Sequence, residues 1–98
     1  MVTLDECKLY LKVDTNDDDS LIEILMETSE RIVKDTLRVE NFADFKKREK
    51  QQIKTAIFYT LHFLYDERGN ANHNDLKLTL RALLSNLRRE AFWLMLED

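Results

Sequence analysis

The rest of this chain is expected to pack around one segment, IKTAIFYTLHFLYDER, from Ile53 to Arg68. Its aliphatic residues recur at steps of three and four, the spacing that places side chains on one face of an α-helix. Four aromatic residues cover much of the remaining circumference: Phe58, Tyr59, Phe63 and Tyr65. A helix that is apolar on nearly every side is either central to its fold or in contact with a second partner. The pattern predicts a central helix that ends at Gly69 and begins at Ile53 or within the basic run 46–50.

The flanking sequence predicts three more helices. Thr3 followed by Glu6 forms a capping box, which predicts a short helix over 4–12. A long apolar stripe predicts a second helix over 17–37, and a leucine-rich pattern predicts a fourth helix that starts after Asn74 or Asp75. The prediction is one all-α domain over 1–98, a compact bundle of about four helices. The predicted core residues are Leu21, Leu25, Ile53, Ile57, Leu61, Leu64, Leu80 and Leu84.

The composition fits this class. The chain has 44% apolar and 35% charged residues, with one glycine and no proline, so it lacks the turn residues that a β-sandwich or barrel requires. The segment after Met1 is charged and amphipathic rather than a secretion signal, and no apolar run reaches the roughly 20 residues that span a bilayer. Cys7 is the only cysteine, which excludes an intrachain disulfide. We expect a soluble protein of a reducing cytosol, with no membrane partner.

One segment resembles a calcium site but does not complete it. Asp14, Asn16 and Asp18 match the first three ligand positions of an EF-hand loop. The sixth position is Asp19, where the turn needs glycine, and the twelfth is Leu25, where a bidentate glutamate is needed. We interpret the segment as a helix start, with Asx residues as caps, and predict no metal site.

No catalytic constellation is present in the sequence. Cys7 has the spacing of a core residue, and no histidine lies near it. His62 and His73 are eleven positions apart, which is not a metal-ligand spacing. There is no glycine-rich phosphate loop and no nucleophile elbow. We therefore predict that the protein is not an enzyme and carries no cofactor.

The charges are divided unevenly along the chain. Residues 1–40 hold 11 acidic and 5 basic side chains, a balance of −6, whereas residues 41–98 hold 8 acidic and 10 basic, a balance of +2. The basic run 46–50 has two interpretations: a solvated face, or a contact with an acidic protein partner.

Three blocks, in this order, resemble the small helical head–tail connector (adaptor) proteins of tailed phages and prophages, also described as DNA-packaging-like proteins. The first is LDECKLYLKVD (4–14) with DDDSLI (17–22), a short helix that leads through an acidic loop into a long one. The second is IKTAI (53–57) with LYDER (64–68), which is similar to the family's central helix and its Tyr-x-x-Arg. The third is LRALLSNLR (80–88). The resemblance does not extend to 90–98.

The resemblance implies a structural virion protein. Such proteins form a homo-oligomeric ring, about twelvefold, beneath the portal of the capsid, and this ring joins head to tail. The portal lies above the ring and the next connector or tail-completion protein below it. DNA passes through the channel without sequence-specific binding. The implied location is the host bacterial cytoplasm during assembly and then the virion neck.

A ring of this kind needs two unlike surfaces on each subunit. We expect acidic residues of the first half to meet basic residues of a neighbour, with C-terminal aromatic residues adding apolar area. The candidates are Asp17, Asp18, Glu23, Glu27, Lys46, Lys47, Arg48, Lys50, Phe92 and Trp93. For Phe92 and Trp93, core packing is the alternative, and the fourth helix either ends near Arg89 or continues into this tail.

A second functional class stays open from the residues alone. A small regulatory or DNA-binding module would need a basic recognition helix, and the fourth helix is the only candidate. Its basic residues are Lys77, Arg81, Arg88 and Arg89.

Overall fold

The structure, a computed structural model, describes residues 1–66 and 73–87. Four longer helices form in these ranges: α1 (Leu4–Leu11), α2 (Asp19–Leu37), α3 (Lys47–Asp66) and α4 (His73–Leu83). A fifth, short helical segment covers 85–87, and neither described range contains a strand. The predicted all-α class is therefore confirmed.

The start of α1 follows from its first residues. The Thr3 hydroxyl accepts from the Glu6 amide at 3.2 Å, and the Glu6 carboxylate accepts from the Thr3 amide at 3.0 Å. These reciprocal bonds satisfy amides that have no partner inside the helix, so the predicted capping box is confirmed. The helix ends one residue before the predicted boundary because Lys12 adopts the left-handed conformation, with φ 60°.

The start of α2 corrects one expectation. Asp18 occupies the N-cap position, but its side chain makes no capping hydrogen bond, so the predicted Asx cap is wrong there. Its carboxylate instead accepts a hydrogen bond from the Tyr65 hydroxyl at 2.7 Å. The Asp18 side chain thus bonds to a residue distant in sequence rather than to an amide of its own helix. The helix α2 begins at Asp19 rather than at Asp17.

The start of α3 lies within the basic run, one of the two predicted positions. The Lys46 amide donates to the Glu49 carboxylate at 2.7 Å, and the Lys50 amide donates to the Lys46 carbonyl at 2.8 Å. The helix therefore gains a turn and a half beyond its apolar stretch. Its predicted end at Gly69 lies outside the described residues.

The helices α2 and α3 form an antiparallel hairpin. Only residues 38–46 connect them, and Tyr65 near the end of α3 bonds to Asp18 at the start of α2. The short α1 lies across this hairpin. Its Lys8 ammonium is 2.8 Å from the Asp19 carboxylate of α2, and its Glu6 carboxylate forms an ion pair with Lys54 of α3.

The last helix returns along α3. The Gln52 side-chain amide donates to the Leu83 carbonyl at 2.8 Å and to the Asn86 side chain at 2.9 Å. The end of α4 is thereby fixed near the start of α3. Since α3 is antiparallel to α2, α4 runs in the same general direction as α2.

The core lies between the helices, and α3 contributes to it along most of its length. Its buried residues are Ile53, Ala56, Ile57, Thr60 and Leu61. Leu80 and Leu84 face them from the fourth helix and the residue that follows it, and both are 0% exposed. Aliphatic residues spaced by a helical turn thus meet where the sequence pattern expected them.

Three predicted core residues lie at its edge. Leu21, Leu25 and Leu64 are half-buried. The buried positions of α2 are Ile22, Ser29, Val33 and Leu37. The apolar stripe of α2 is wider than the face that its neighbours cover, so one side of the stripe stays at the boundary.

Candidate assembly surfaces

An acidic groove runs between the N-terminal segment and α2. We use this name for the surface lined by Met1, Val2, Leu4, Glu23, Met26, Glu27 and Glu30. The Met1 amino group lies 3.2 Å from the Glu30 carboxylate and offsets its charge. Glu23 and Glu27 are exposed, and neither forms an ion pair with another residue of the described ranges. They leave two free carboxylates beside an apolar floor.

A basic groove lies between α2 and α4. It is lined by Ile32, Asp35, Thr36, Arg38, Lys77 and Arg81. Arg38, Lys77 and Arg81 are exposed and have no ion-pair partner within 1–66 and 73–87. Lys77 and Arg81 are four positions apart on α4, which places them on one face of that helix. The groove thus combines three cations with one carboxylate and a half-buried isoleucine.

The two grooves lie on opposite sides of α2. Glu23 and Ile32 are nine positions apart, and so are Glu27 and Thr36. Nine residues make two and a half turns of an α-helix, which turns the side chains about 180° from each other. Each molecule therefore presents a negative surface on one side of this helix and a positive surface on the other.

The predicted basic run occupies a different place. Lys46, Lys47 and Arg48 are exposed and Lys50 is half-buried, all at the start of α3. In an antiparallel hairpin the start of α3 lies beside the end of α2, far from the start of α2, where Asp17 and Glu23 lie. Along the hairpin, Asp17 is separated from the basic run by the whole length of α2, about 28 Å for 19 residues, and Glu27 by about half of that length.

The remaining predicted interface residues differ in their availability. Asp17 is exposed, whereas Asp18 is held by Tyr65. Phe92 and Trp93 lie outside the described residues, as do Arg88 and Arg89. Exposed apolar side chains occur instead on α1, α2 and α4, where Leu9, Ile24 and Leu78 are 81%, 61% and 62% exposed.

The side chains that could take part in catalysis are engaged in packing, hydrogen bonds or ion pairs. Cys7 is fully buried, and burial raises the pKa of its thiol to about 11. The hydrogen bond from Lys54, together with the Thr3 amide, lowers the pKa of the Glu6 carboxyl. His62 lies 2.8 Å from the Asp66 carboxylate, and its ring is perpendicular to that of Tyr10, which stacks on Phe58 at 5.0 Å. These contacts fix α1 on α3.

The sequence segment that resembled a calcium loop has other partners. Asn16 accepts a hydrogen bond from Lys8 at 2.9 Å, and Asp18 accepts one from Tyr65. Within the two described ranges, no group of three or more His, Cys, Asp or Glu side chains is placed to hold a metal ion. None of the described helices has both the length and the apolar character needed to cross a bilayer.

Sequence reasoning missed the basic groove as a unit. Arg38 is about forty positions from Lys77 and Arg81, so no local pattern connects them. Two signals were present. Lys77 and Arg81 have the spacing of one helix face, and Arg38 directly follows Leu37, the last residue of α2, where a cation suits the helix dipole.

One comparison with known proteins identifies the family. The family model for phage gp6-like head-tail connector proteins matches residues 1–85. No curated protein and no solved structure matches the chain. The family match covers most of the sequence and includes all three blocks of resemblance except the last residues of the third. The chain therefore belongs to the phage gp6-like head–tail connector proteins, a family of phage structural proteins that join head and tail.

Proposed function

We propose that this protein forms a closed ring beneath the portal of a tailed-phage capsid. The ring joins the head to the tail and extends the channel through which DNA passes. About twelve copies make the ring, as the family resemblance implies. The portal lies on one side of it and the next connector or tail-completion protein on the other. The ring assembles in the host bacterial cytoplasm and is part of the neck of the virion.

The observation that carries this proposal is the pair of unlike grooves on opposite sides of α2. A cyclic ring of many subunits needs heterologous contacts, in which one surface of each copy meets a different surface of the next. An acidic groove and a basic groove on opposite sides of one molecule meet this requirement. A two-fold dimer would place each groove against the like-charged groove of the other copy. Family membership over residues 1–85 supports the same role.

Charge alone is too weak to hold such a ring together. Exposed ion pairs contribute about 0–1 kcal/mol each and are screened by salt. Apolar side chains such as Leu9, Ile24 and Leu78 supply the rest of the affinity. Ring closure is favoured on the portal, which presents many sites at once and raises the effective concentration of each bound copy.

The proposed role is structural and not catalytic. Cys7 is buried with a raised thiol pKa, so little of it is a thiolate at neutral pH. His62 is engaged with Asp66 and Tyr10. These surroundings support packing roles for the two side chains most able to do chemistry.

The direct test is assembly on purified portal or on tailless capsids. Electron microscopy of the mixture should show a ring of copies beneath the portal, with the channel continued through it. A chain that leaves the portal unoccupied at saturating concentration would contradict the proposal. The variant Lys46→Glu, Lys47→Glu, Lys50→Glu tests the predicted pairing of the basic run. Unimpaired assembly of this variant at low salt would exclude that pairing but not the ring.

The DNA-binding alternative has one observation in its favour, the three cations of the basic groove. A DNA-binding module would bind duplex DNA at moderate salt, and Lys77→Glu with Arg81→Glu would abolish that binding. The connector role predicts no such complex. The two classes are therefore separated by one binding assay.

A further inference from the structure

Two short runs carry opposite charges at the same helical spacing. Glu23-Ile24-Leu25-Met26-Glu27 lies on α2, and Lys77-Leu78-Thr79-Leu80-Arg81 lies on α4. In each run the charges occupy the first and fifth positions, one turn apart, where side chains on a helix are about 5–6 Å from each other. In each run the second position is an exposed large apolar residue. We call the two charged pairs the acidic row and the basic row.

We propose that the basic groove is occupied by a second copy of this chain, whose acidic row pairs with the basic row. This inference rests on the proposed ring and names the contact that closes it. Neighbours in a ring of many copies differ by a small rotation, so α2 of one copy and α4 of the next stay roughly parallel. That orientation pairs Glu23 with Lys77 and Glu27 with Arg81. Arg38 lines the same groove and adds a third cation to it.

The surroundings of both rows favour a protein partner over DNA. The basic groove includes the Asp35 carboxylate and the half-buried Ile32, which suit a mixed protein surface better than a phosphate backbone. The acidic groove offers Met26 and Leu4 beside its free carboxylates. Because the grooves are on opposite sides of α2, one copy can use both at the same time.

Equal spacing lets both ion pairs form in a single register. A shift of the two helices by one turn would leave one carboxylate and one cation without partners. The rows therefore fix the register, while Ile24 and Leu78 beside them supply apolar area. Reversing one row should lower the self-association constant by roughly tenfold at low salt, since two attractive pairs become repulsive. Raising the salt to about 0.5 M should remove most of this difference.

The first experiment maps the contact by crosslinking between copies. In a Cys7→Ala background, the Glu27→Cys protein is mixed with the Arg81→Cys protein and treated with a short bis-maleimide. The matched control mixes Glu27→Cys with Lys47→Cys, which tests the basic run as the rival partner. The expected result is a heterodimer in the first mixture, in clear excess over the second. Equal yields, no heterodimer in either mixture, or an excess in the control would overturn the proposal.

The second experiment measures self-association by sedimentation. Glu27→Arg and Arg81→Glu should each weaken it, and the double variant should recover most of the loss. Arg38→Gly removes the third cation without strain, because Arg38 has φ 59° and glycine adopts this conformation readily. It should weaken association by up to about fivefold. Lys12→Gly makes the same change at the end of α1, φ 60°, outside both grooves, and should have no effect.

The outcomes separate this inference from the proposed function. Rings on the portal that tolerate Glu27→Arg and Arg81→Glu would overturn the pairing and leave the ring intact. If the Glu27→Cys and Arg81→Cys proteins crosslink as expected but the wild-type chain never occupies the portal, the connector role is refuted and the pairing is supported. Duplex DNA binding at about 0.15 M salt that Arg81→Glu removes would assign the groove to nucleic acid and overturn the proposal.

Discussion

Truncating Leu61 to alanine removes three carbon atoms from a side chain that is 0% exposed, in the C-terminal half of α3. At about 0.8 kcal/mol for each buried carbon, the lost transfer free energy is about 2.4 kcal/mol. The cavity adds to this value because the surrounding helices relax only in part, and buried leucine truncations cost about 2–5 kcal/mol. We expect the free energy of unfolding to fall by that amount. The midpoint of thermal unfolding should fall by at least about 10 °C.

Urea unfolding monitored by circular dichroism measures this loss, and Leu21→Ala is the matched control. Leu21 is a half-buried leucine of α2 at the edge of the core, so its truncation should cost clearly less. If the Leu61→Ala chain is unfolded at 25 °C, the free energy of unfolding is measured for Leu61→Met instead. A volume-conserving change there should cost less than about 1.5 kcal/mol. The reasoning is refuted if Leu61→Ala is neutral while Leu21→Ala is severe, because α3 would then not be the centre of the core.

Three further predictions concern single side chains. Thr3→Ala removes the hydroxyl that accepts from the Glu6 amide, one of the two bonds of the capping box, and should lower the free energy of unfolding by about 1 kcal/mol, whereas Thr15→Ala at an exposed bend should leave it unchanged. Ser29 is buried and its hydroxyl has no partner in the described residues, so Ser29→Ala should be neutral or stabilising; a loss above about 1 kcal/mol in urea melts would contradict this. The Cys7 thiol ionises near pH 9 when unfolded and near 11 when folded, so the unfolded state loses its proton first and stability should fall between those values. Cys7→Ala should lack that part of the pH dependence, and identical pH profiles would argue against burial of the thiol.

Helix type and position could be read from local spacing because both depend on neighbours three and four residues away. Thr3 and Glu6 determine the start of α1 through bonds within one turn. The apolar residues of α3 recur so regularly that Ile53, Ile57 and Leu61 were identifiable as core residues. The family was also recognisable, since its three blocks are contiguous pieces of sequence.

Side-chain partners beyond one turn could not be read in this way. Asp18 had the spacing of a helix cap, yet it bonds to Tyr65, 47 positions away. Leu21 belonged to the apolar stripe of α2, but the neighbouring helices cover only the part of that stripe around Ile22 and Val33. Local periodicity gives the direction of a side chain on its own helix and contains no information on what lies opposite.

Hydrogen bonds and apolar periodicity within a helix are local, so they suffice to predict that this chain is helical, where most of its helices lie and which residues of α3 are buried. The surfaces left for assembly depend instead on how the helices pack. The tertiary structure brought Arg38 to Lys77 and Arg81, and it put the acidic and basic grooves on opposite sides of α2. The physical reason is that a surface groove is formed by two packed elements, and its charge depends on how they pack rather than on the order of residues in either one.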